Sequence, residues 1–385
     1  MAGEVKLDTR PILDLCNYLT STFVGREREV VAVLAGLASG EPVFLCGPPG
    51  TAKTALVEEM ARCLNARYFY YLLTRFTEPD ELLGPLDVAA LREGRWVRVS
   101  ENRLPTAEIV FLDEIFKAGS AILNTLLDII LNRRILNGTT YVQLPILALY
   151  TASNEVTTDA ELMAFYDRLL IRCFVTPVQD ALLDDLLQRG VLIDTGVPRE
   201  RVQLSKEYIT QLQKFVALRA QAIVADAAWR ERIVKVLLDL KGKGLFLSDR
   251  RKVKLVKLFA AVSTVLNEKV PSLDSLAEAI RLTAPHTPED MERVESVILE
   301  NGLSSFDISR YHAVIEEGKR VIEEVKKRVA EGTATLRDLS DLRQLRAELL
   351  KIYQQIPTNI VTLQTRNMIY SAIREIDALL QQVIG

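Results

Sequence analysis

Gly47-Pro48-Pro49-Gly50-Thr51-Ala52-Lys53-Thr54 is the stretch whose residue types and spacing point most directly to chemistry. A glycine-rich turn that runs into Lys-Thr at the head of a helix presents backbone N–H groups and the positive end of the helix dipole to an anion. In such a loop Lys53 reaches the β- and γ-phosphates of a nucleotide, and the Thr54 hydroxyl ligates Mg²⁺. One residue departs from the pattern: Ala52 stands where glycine is usual. A methyl there is harmless at negative φ and strained at positive φ. The bland alternative is an ordinary Gly-Pro turn between a strand and a helix.

A second pair of chemistry-bearing residues, Asp113-Glu114, closes the apolar run Ile109-Val110-Phe111-Leu112. Carboxylates at the C-terminal end of a buried strand sit where ligands bind in open α/β sheets. Asp113 suits the Mg²⁺ shell, and Glu114 suits activation of a water for attack on a γ-phosphate. Asn154 follows another apolar run, 146–150, and is placed to orient that water. A solvated strand end is the alternative for the carboxylates.

These side chains need strands and helices to hold them. Residues 42–46 form a short apolar run bounded by Gly and Pro, which reads as a buried strand, with a helix from Ala55 that aligns Leu56, Met60 and Leu64. Residues 66–74, 109–112, 146–150 and 169–175 supply four more strand-like runs. Continuous apolar runs mean burial on both faces, as in a parallel sheet. Two hairpins are expected, one near Trp96 with its turn at 92–95, the other at Asn137-Gly138. Trp96 suits either core packing or contact with a substrate. Phe23 and Val24, between two N-terminal helices, suit either helix packing or contact with an adenine.

Beyond Pro177 the pattern becomes helical: 178–192, 205–219, 225–241, 248–267 and 273–282, then a short helix to Asn301-Gly302. Three long helices follow, near 308–330, 336–355 and 360–384, with Ile315, Ile322 and Val329 at seven-residue spacing. Short connections fold them antiparallel, as a packing module or a projecting arm. The expected division is a nucleotide-binding domain at 1–176, a helical domain at 177–302 and a C-terminal module at 303–385.

With 385 residues there is room for two or three cores. The 48 basic and 51 acidic residues leave a net charge of −3, so no global basic field points to nucleic acid. Cys16, Cys46, Cys63 and Cys173 show no metal-ligand spacing, and only His286 and His312 exist, which argues against a histidine metal site. Apolar contexts suggest free thiols in a reducing, cytoplasmic setting. No uncharged run approaches membrane-spanning length.

Taken together, GPPGTAKT, IVFLDE, TASN and YDRLL stand in an order that resembles the AAA+ ATPases. LDEIFKA, SNEV, YDRLLIR and SDRR resemble more closely the MoxR group, in particular its RavA branch. The resemblance covers about the first 300 residues and implies an AAA+ α/β fold: a five-stranded parallel sheet flanked by helices, an all-helical lid, and a helical C-terminal module. It implies that Gly47 to Thr54 bind ATP, with Asp113 and Glu114 as metal and base pair and Asn154 as first sensor. Arg168 would be an arginine finger acting on a neighbouring subunit, and Arg250 the second sensor, with adjacent Arg251 as the other candidate. The two hairpins match insertions of the MoxR-containing clade. The implied activity is Mg²⁺-dependent ATP hydrolysis by a homo-oligomeric, hexameric ring that remodels or matures protein complexes as a chaperone. A partner carrying a von Willebrand factor A domain is implied as well. Two other classes stay open: a DNA-translocating motor, with Arg133 and Arg134 near the second hairpin, and a nucleotide-gated scaffold or chelatase-like assembly subunit.

Overall fold

The chain lays down α1 (Arg10–Thr22), α2 (Glu27–Ser39), β1 (Val43–Cys46), α3 (Lys53–Cys63) and β2 (Tyr68–Leu72). After the short α4 (Pro79–Leu83) and α5 (Val88–Arg92) come β3 (Ile109–Asp113), α6 (Ser120–Asn132) and the pair β4 (Arg134–Asn137) and β5 (Thr140–Gln143). β6 (Ala148–Ser153), α7 (Ala160–Tyr166) and β7 (Ile171–Phe174) complete this part. The computed structural model describes residues 7–137, 140–157, 159–178, 182–196, 200–303, 318, 320–329, 331–355 and 360–384.

Five strands form one parallel sheet in the order β2-β3-β6-β1-β7, while β4 and β5 pair antiparallel on their own. The expected parallel sheet is therefore present. Alternation along each strand sends side chains to two covered faces. Val43 and Tyr150 face α2: a Cβ on Gly36 would meet Val43 Cγ2 at 2.2 Å, and the Tyr150 hydroxyl donates to Val33 O at 2.9 Å. Phe44, Val110, Leu112 and Leu149 face the other way, into a core with Ile122, Leu126 and Ile129 of α6.

Two departures from the sequence reading lie close to the site and its insertions. β6 runs on through Thr151, Ala152 and Ser153, because Leu45 pairs with Ala152 and Cys46 with Ser153. Those polar residues extend the strand through pairing, which hydrophobic periodicity does not report. The expected hairpin with its turn at 92–95 is also corrected. Residues on either side of α5 pair instead: Val99 N–H donates to Pro85 O and Asp87 N–H to Val97 O, both at 2.8 Å. The cause is local, since the Asp87 carboxylate accepts from Ala89 and Ala90 N–H and so starts α5. Trp96 is 52% exposed, which overturns core packing for it.

Packing divides the chain into two compact units: Met1–Pro177 with Pro198–Leu303, and Val178–Val197 with Ser304–Gly385. In the first, the sheet is followed by α9 (Lys206–Ala225), α10 (Ala227–Gly242), α11 (Asp249–Val265), α12 (Leu273–Arg281) and α13 (Asp290–Glu300); α8 (Leu183–Asp194) belongs to the second. Ser205, Asp226, Ser248 and Ser272 cap the first four of these by accepting backbone N–H groups, which fixes where each helix begins. α11 packs along α2, α9 and α12, and Lys254 and Lys257 both pair with Glu41 at the entrance to β1.

The second unit holds α14 (Leu336–Gln355) and α15 (Ile360–Ile384) beside the helical residues 320–329. Arg346 pairs with Asp377 and Tyr353 lies against Tyr370, so α14 and α15 run antiparallel. Ile322, Leu342, Leu349, Ile369 and Ile376 form its core. Ile315, at the start of the expected seven-residue repeat, lies outside the described residues, as does Gly138 of the second hairpin turn. No described helix is long and apolar enough to cross a membrane, and all four cysteines are buried and free.

Phe44, Phe116 and Tyr166 meet edge to face, with ring centroids 5.3–5.7 Å apart, and join the strand before the glycine-rich loop to the segments that carry Glu114 and Arg168. Phe44→Ala should cost about 3–5 kcal/mol of stability, read as a shift in urea midpoint. A loss below about 1 kcal/mol would show that the surroundings collapse onto the gap.

Candidate functional site

β1 delivers the chain to the loop through four buried residues, and the loop opens at the C-terminal edge of the sheet. Gly47 sits so close to β7 that a Cβ would lie 2.1 Å from Val175 O, so only glycine fits there. Its N–H donates to Ser153 O at 3.1 Å, which ties the loop to β6. Pro48, Pro49 and Gly50 are exposed, and the Thr51 hydroxyl donates back to Pro48 O at 2.9 Å.

Lys53 begins α3 and folds over the loop. Its ammonium donates to Gly47 O and Pro48 O at 2.8 Å each and to Thr51 Oγ1 at 3.4 Å. Partial burial pushes its pKa down, with the Asp113 carboxylate the largest opposing influence. Burial likewise pushes the thiol of Cys46, just before the loop, up to about 11, so it stays protonated at neutral pH. Ala52 has φ +63° and ψ +19°, in the left-handed region. The unusual alanine therefore carries strain.

Asp113 is the last residue of β3, and its Oδ1 accepts from Glu114 N–H at 2.9 Å. Glu114 is itself left-handed, at φ +53°, and turns the chain into a 3-10 turn, Ile115–Lys117. Buried Ile115 and the Phe116 ring hold that turn to the core. Glu114 Oε1 accepts from Asn154 Nδ2 at 2.7 Å and pairs with Lys117 Nζ at 3.2 Å. β6 lies between β1 and β3, so Asn154 at its end bridges towards the Glu114 side of the site.

Two neighbours were not found from the sequence. Lys117 had a legible signal, its i,i+3 spacing from Glu114. Tyr70 had none: its hydroxyl lies 3.5 Å from Asp113 Oδ2 only because β2 pairs with β3.

The donor set fits a nucleotide phosphate with a divalent cation: exposed loop backbone, an ammonium, a hydroxyl at Thr54 and a carboxylate at Asp113. Among the described residues no group of three or more His, Cys, Asp or Glu could hold a metal alone. A cation at Thr54 and Asp113 would thus depend on phosphate oxygens for further ligands.

Arg168 lies in the turn from α7 to β7, with its guanidinium donating to Ala164 O. No ion pair joins it to Asp167, whose carboxylate accepts from the Ser248 hydroxyl at 3.0 Å. Among the described residues, neither Arg168 nor Arg250 is hydrogen-bonded to the loop at 47–54. Arg250 is exposed. Arg251 is the inward one of the pair, but it points into the protein core: its guanidinium donates to the carbonyls of Leu169, Leu170 and Thr283. Phe23 and Val24 are 5% and 8% exposed, so helix packing already uses most of their surface.

Arg133 and Arg134 are both engaged. Arg133 donates to Gly40 O, and burial pushes its guanidinium down to about 10. Arg134 pairs with Asp128 and stacks 4.0 Å over the Tyr141 ring. Neither is a free phosphate-binding cation.

Ala52→Gly should relieve about 1–2 kcal/mol of left-handed strain and give back about 0.5–1 kcal/mol as unfolded-chain entropy. The expected net is a stabilisation of roughly 0.5–1 kcal/mol in urea denaturation. Destabilisation would show that the methyl makes a favourable contact.

Comparison with known proteins agrees with this geometry. Residues 10–214 match the family model described as the MoxR domain in the MoxR-vWA-beta-propeller ternary systems. An uncharacterized protein of Methanocaldococcus jannaschii is 35% identical over 291 residues, 73% of each chain. A second from the same organism is 36% identical over 266 residues, 67% of each. The mitochondrial Lon protease homolog of Saccharomyces cerevisiae is 26% identical over 223 residues, 54% of this chain but 19% of that protein. In three dimensions, a crystal structure of a "putative ATPase" from Cytophaga hutchinsonii superposes with a TM-score of 0.61 at 15% identity, over 76% of this chain and 93% of that one. With the loop, the paired carboxylates and the parallel sheet in place, the chain belongs to the MoxR family and has the AAA+ ATPase fold.

Proposed function

We propose that the chain is a Mg²⁺-dependent ATPase that assembles as a homo-oligomeric, hexameric ring and acts as a chaperone, remodelling or maturing protein complexes. The observation that carries this reading is the meeting of Lys53, Asp113, Glu114 and Asn154 at one edge of the sheet, with Asn154 bonded to Glu114. Gly47 to Thr54 cradle the phosphates of ATP, and Lys53 exchanges its loop carbonyls for phosphate oxygens. Thr54 and Asp113 would hold Mg²⁺, which would supply positive charge against the phosphates. Glu114 orients and deprotonates the attacking water, and Asn154 fixes the carboxylate that does so.

Arg168 acts across a subunit boundary as an arginine finger, in keeping with its lack of any bond to its own subunit's loop. Arg250 is the second sensor in this reading, because Arg251 is committed to backbone carbonyls. In this reading residues 1–176 bind nucleotide, 177–302 form the lid and 303–385 are the module that meets a client, although α8, within the second span, packs with the C-terminal unit. The segments LDEIFKA, SNEV and YDRLLIR favour kinship with the RavA branch. A partner with a von Willebrand factor A domain is favoured by the family description, which names such ternary systems. The DNA-motor reading is disfavoured by the engagement of Arg133 and Arg134.

Lys53→Ala should abolish ATP binding, since the phosphate charge loses its ammonium. Glu114→Gln should bind and trap ATP while hydrolysis falls at least ~10²-fold. Wild-type turnover in Glu114→Gln would remove Glu114 from the mechanism.

The trans role of Arg168 has its own test. Arg168→Ala should bind ATP and hydrolyse it poorly, and Lys53→Ala has the converse defect. Mixed in equal amounts, they should recover activity at the junctions that join an intact site to an intact finger, about a quarter in a closed head-to-tail ring. Differently tagged subunits that co-purify yet recover nothing would exclude a finger in trans.

A further inference from the structure

The segment 166–170, which carries Arg168, is held by two buried guanidiniums. Arg172 of β7 donates through Nη2 to Tyr166 O at 3.0 Å. Arg251, in the first turn of α11, donates through Nη1 to Leu169 O at 2.7 Å and Asp167 O at 3.4 Å, and through Nη2 to Leu170 O at 3.1 Å. Four of the five carbonyls around Arg168 are therefore engaged. The side chain of Asp167 is held as well, by the Ser248 hydroxyl at 3.0 Å. Ser248 is the N-cap of α11, so the grip comes from the start of that helix.

The same guanidiniums also hold the connection from α12 to α13. Arg251 Nη2 donates to Thr283 O, and Arg172 Nη1 donates to Pro285 O at 3.2 Å and to His286 Nδ1 at 2.9 Å. The Tyr166 hydroxyl donates to His286 O at 2.6 Å, and Arg172 N–H to Leu282 O at 2.7 Å. Arg251 and Arg172 are 1% exposed each, and among the described residues no carboxylate is bonded to either guanidinium. Buried charges held by carbonyl dipoles depend on every one of those bonds, because water is not there to replace a lost partner. Such an arrangement resists relative movement of the segments it joins.

We propose that Ser248 and Arg251 are positioning residues for Arg168: they fasten its turn to the head of α11, so that the helical region carries the finger with it. This rests on the reading of Arg168 as a finger. Its consequence is directional. A nucleotide that reorients the helical region of one subunit moves the arginine that this subunit offers to its neighbour, with no need for a separate relay through the sheet.

The test is a double-mutant cycle on the full-length protein, with kcat and the KM for ATP measured under single-turnover and steady-state conditions. Ser248→Ala removes the hydroxyl but also the helix cap. Asp167→Ala breaks the same bond from the other side and leaves the cap, and Ser248→Thr keeps both functions. Ser248→Ala and Asp167→Ala should each lower kcat at least fivefold, with KM changed by less than twofold, and Ser248→Thr should match the wild type. In an Arg168→Ala background each substitution should change kcat by less than twofold. The same fold loss in both backgrounds would overturn the proposal, as would an effect confined to KM or no loss at all. Wild-type turnover in Arg168→Ala alone would instead bring down the finger reading itself, and that outcome is read from a different protein.

Discussion

β6 is paired on both sides, to β1 through Val43–Tyr150 and its neighbours and to β3 through Ile109–Ala148 and its neighbours. The rest of the site depends on that double pairing. β1 and β3 do not pair, yet the loop follows one and the carboxylates close the other. A strand spacing of about 4.8 Å places their ends roughly 10 Å apart. Just past the end of the middle strand, Asn154 reaches the carboxylate side of that gap by donating to Glu114. Because β6 runs on to Ser153 and accepts the Gly47 N–H, it sets the loop and Asn154 from a single rigid element.

Two of the left-handed non-glycine positions fall within the candidate site. Ala52 and Glu114 are both left-handed, and neither is glycine. Such conformations cost of order 1–3 kcal/mol and persist only where the surroundings over-determine them. For Glu114 the surroundings are plain: buried Ile115 and the Phe44–Phe116–Tyr166 trio pin the turn that follows it. For Ala52 the constraint is the helix it opens, whose first residue, Lys53, is bonded back to the loop.

The charged interior follows two different rules. Glu278, Arg281 and Glu295 form a paired cluster with Arg28, in which acid and base offset each other's desolvation. Arg172 and Arg251 have carbonyl oxygens instead, and burial holds the Arg251 pKa well below its ordinary value. Pairing makes the first cluster a local fastener between helices. Carbonyl capture ties the second to backbone rather than to side chains, where the helical region meets the turn bearing Arg168.

The amino-acid sequence by itself determined where the glycine-rich loop, the carboxylate pair and the strands of the parallel sheet lie, because these are written in contiguous residues. A glycine-rich turn, an apolar run ending in Asp-Glu and a helix repeat each need only a few neighbours in the chain. The long helices at 336–355 and 360–384 were legible for the same reason. Tertiary structure decided what depends on a partner distant in sequence. Thr151 to Ser153 became strand because β1 lies beside them, and Trp96 became exposed because Pro85 and Asp87 pair with Val97 and Val99 across a helix. Arg250 and Arg251 are adjacent in the chain, and no periodicity distinguishes them at the head of α11. Only the approach of the turn at 166–170, with its carbonyls turned to the head of α11, made one of them a buried clamp and left the other facing solvent.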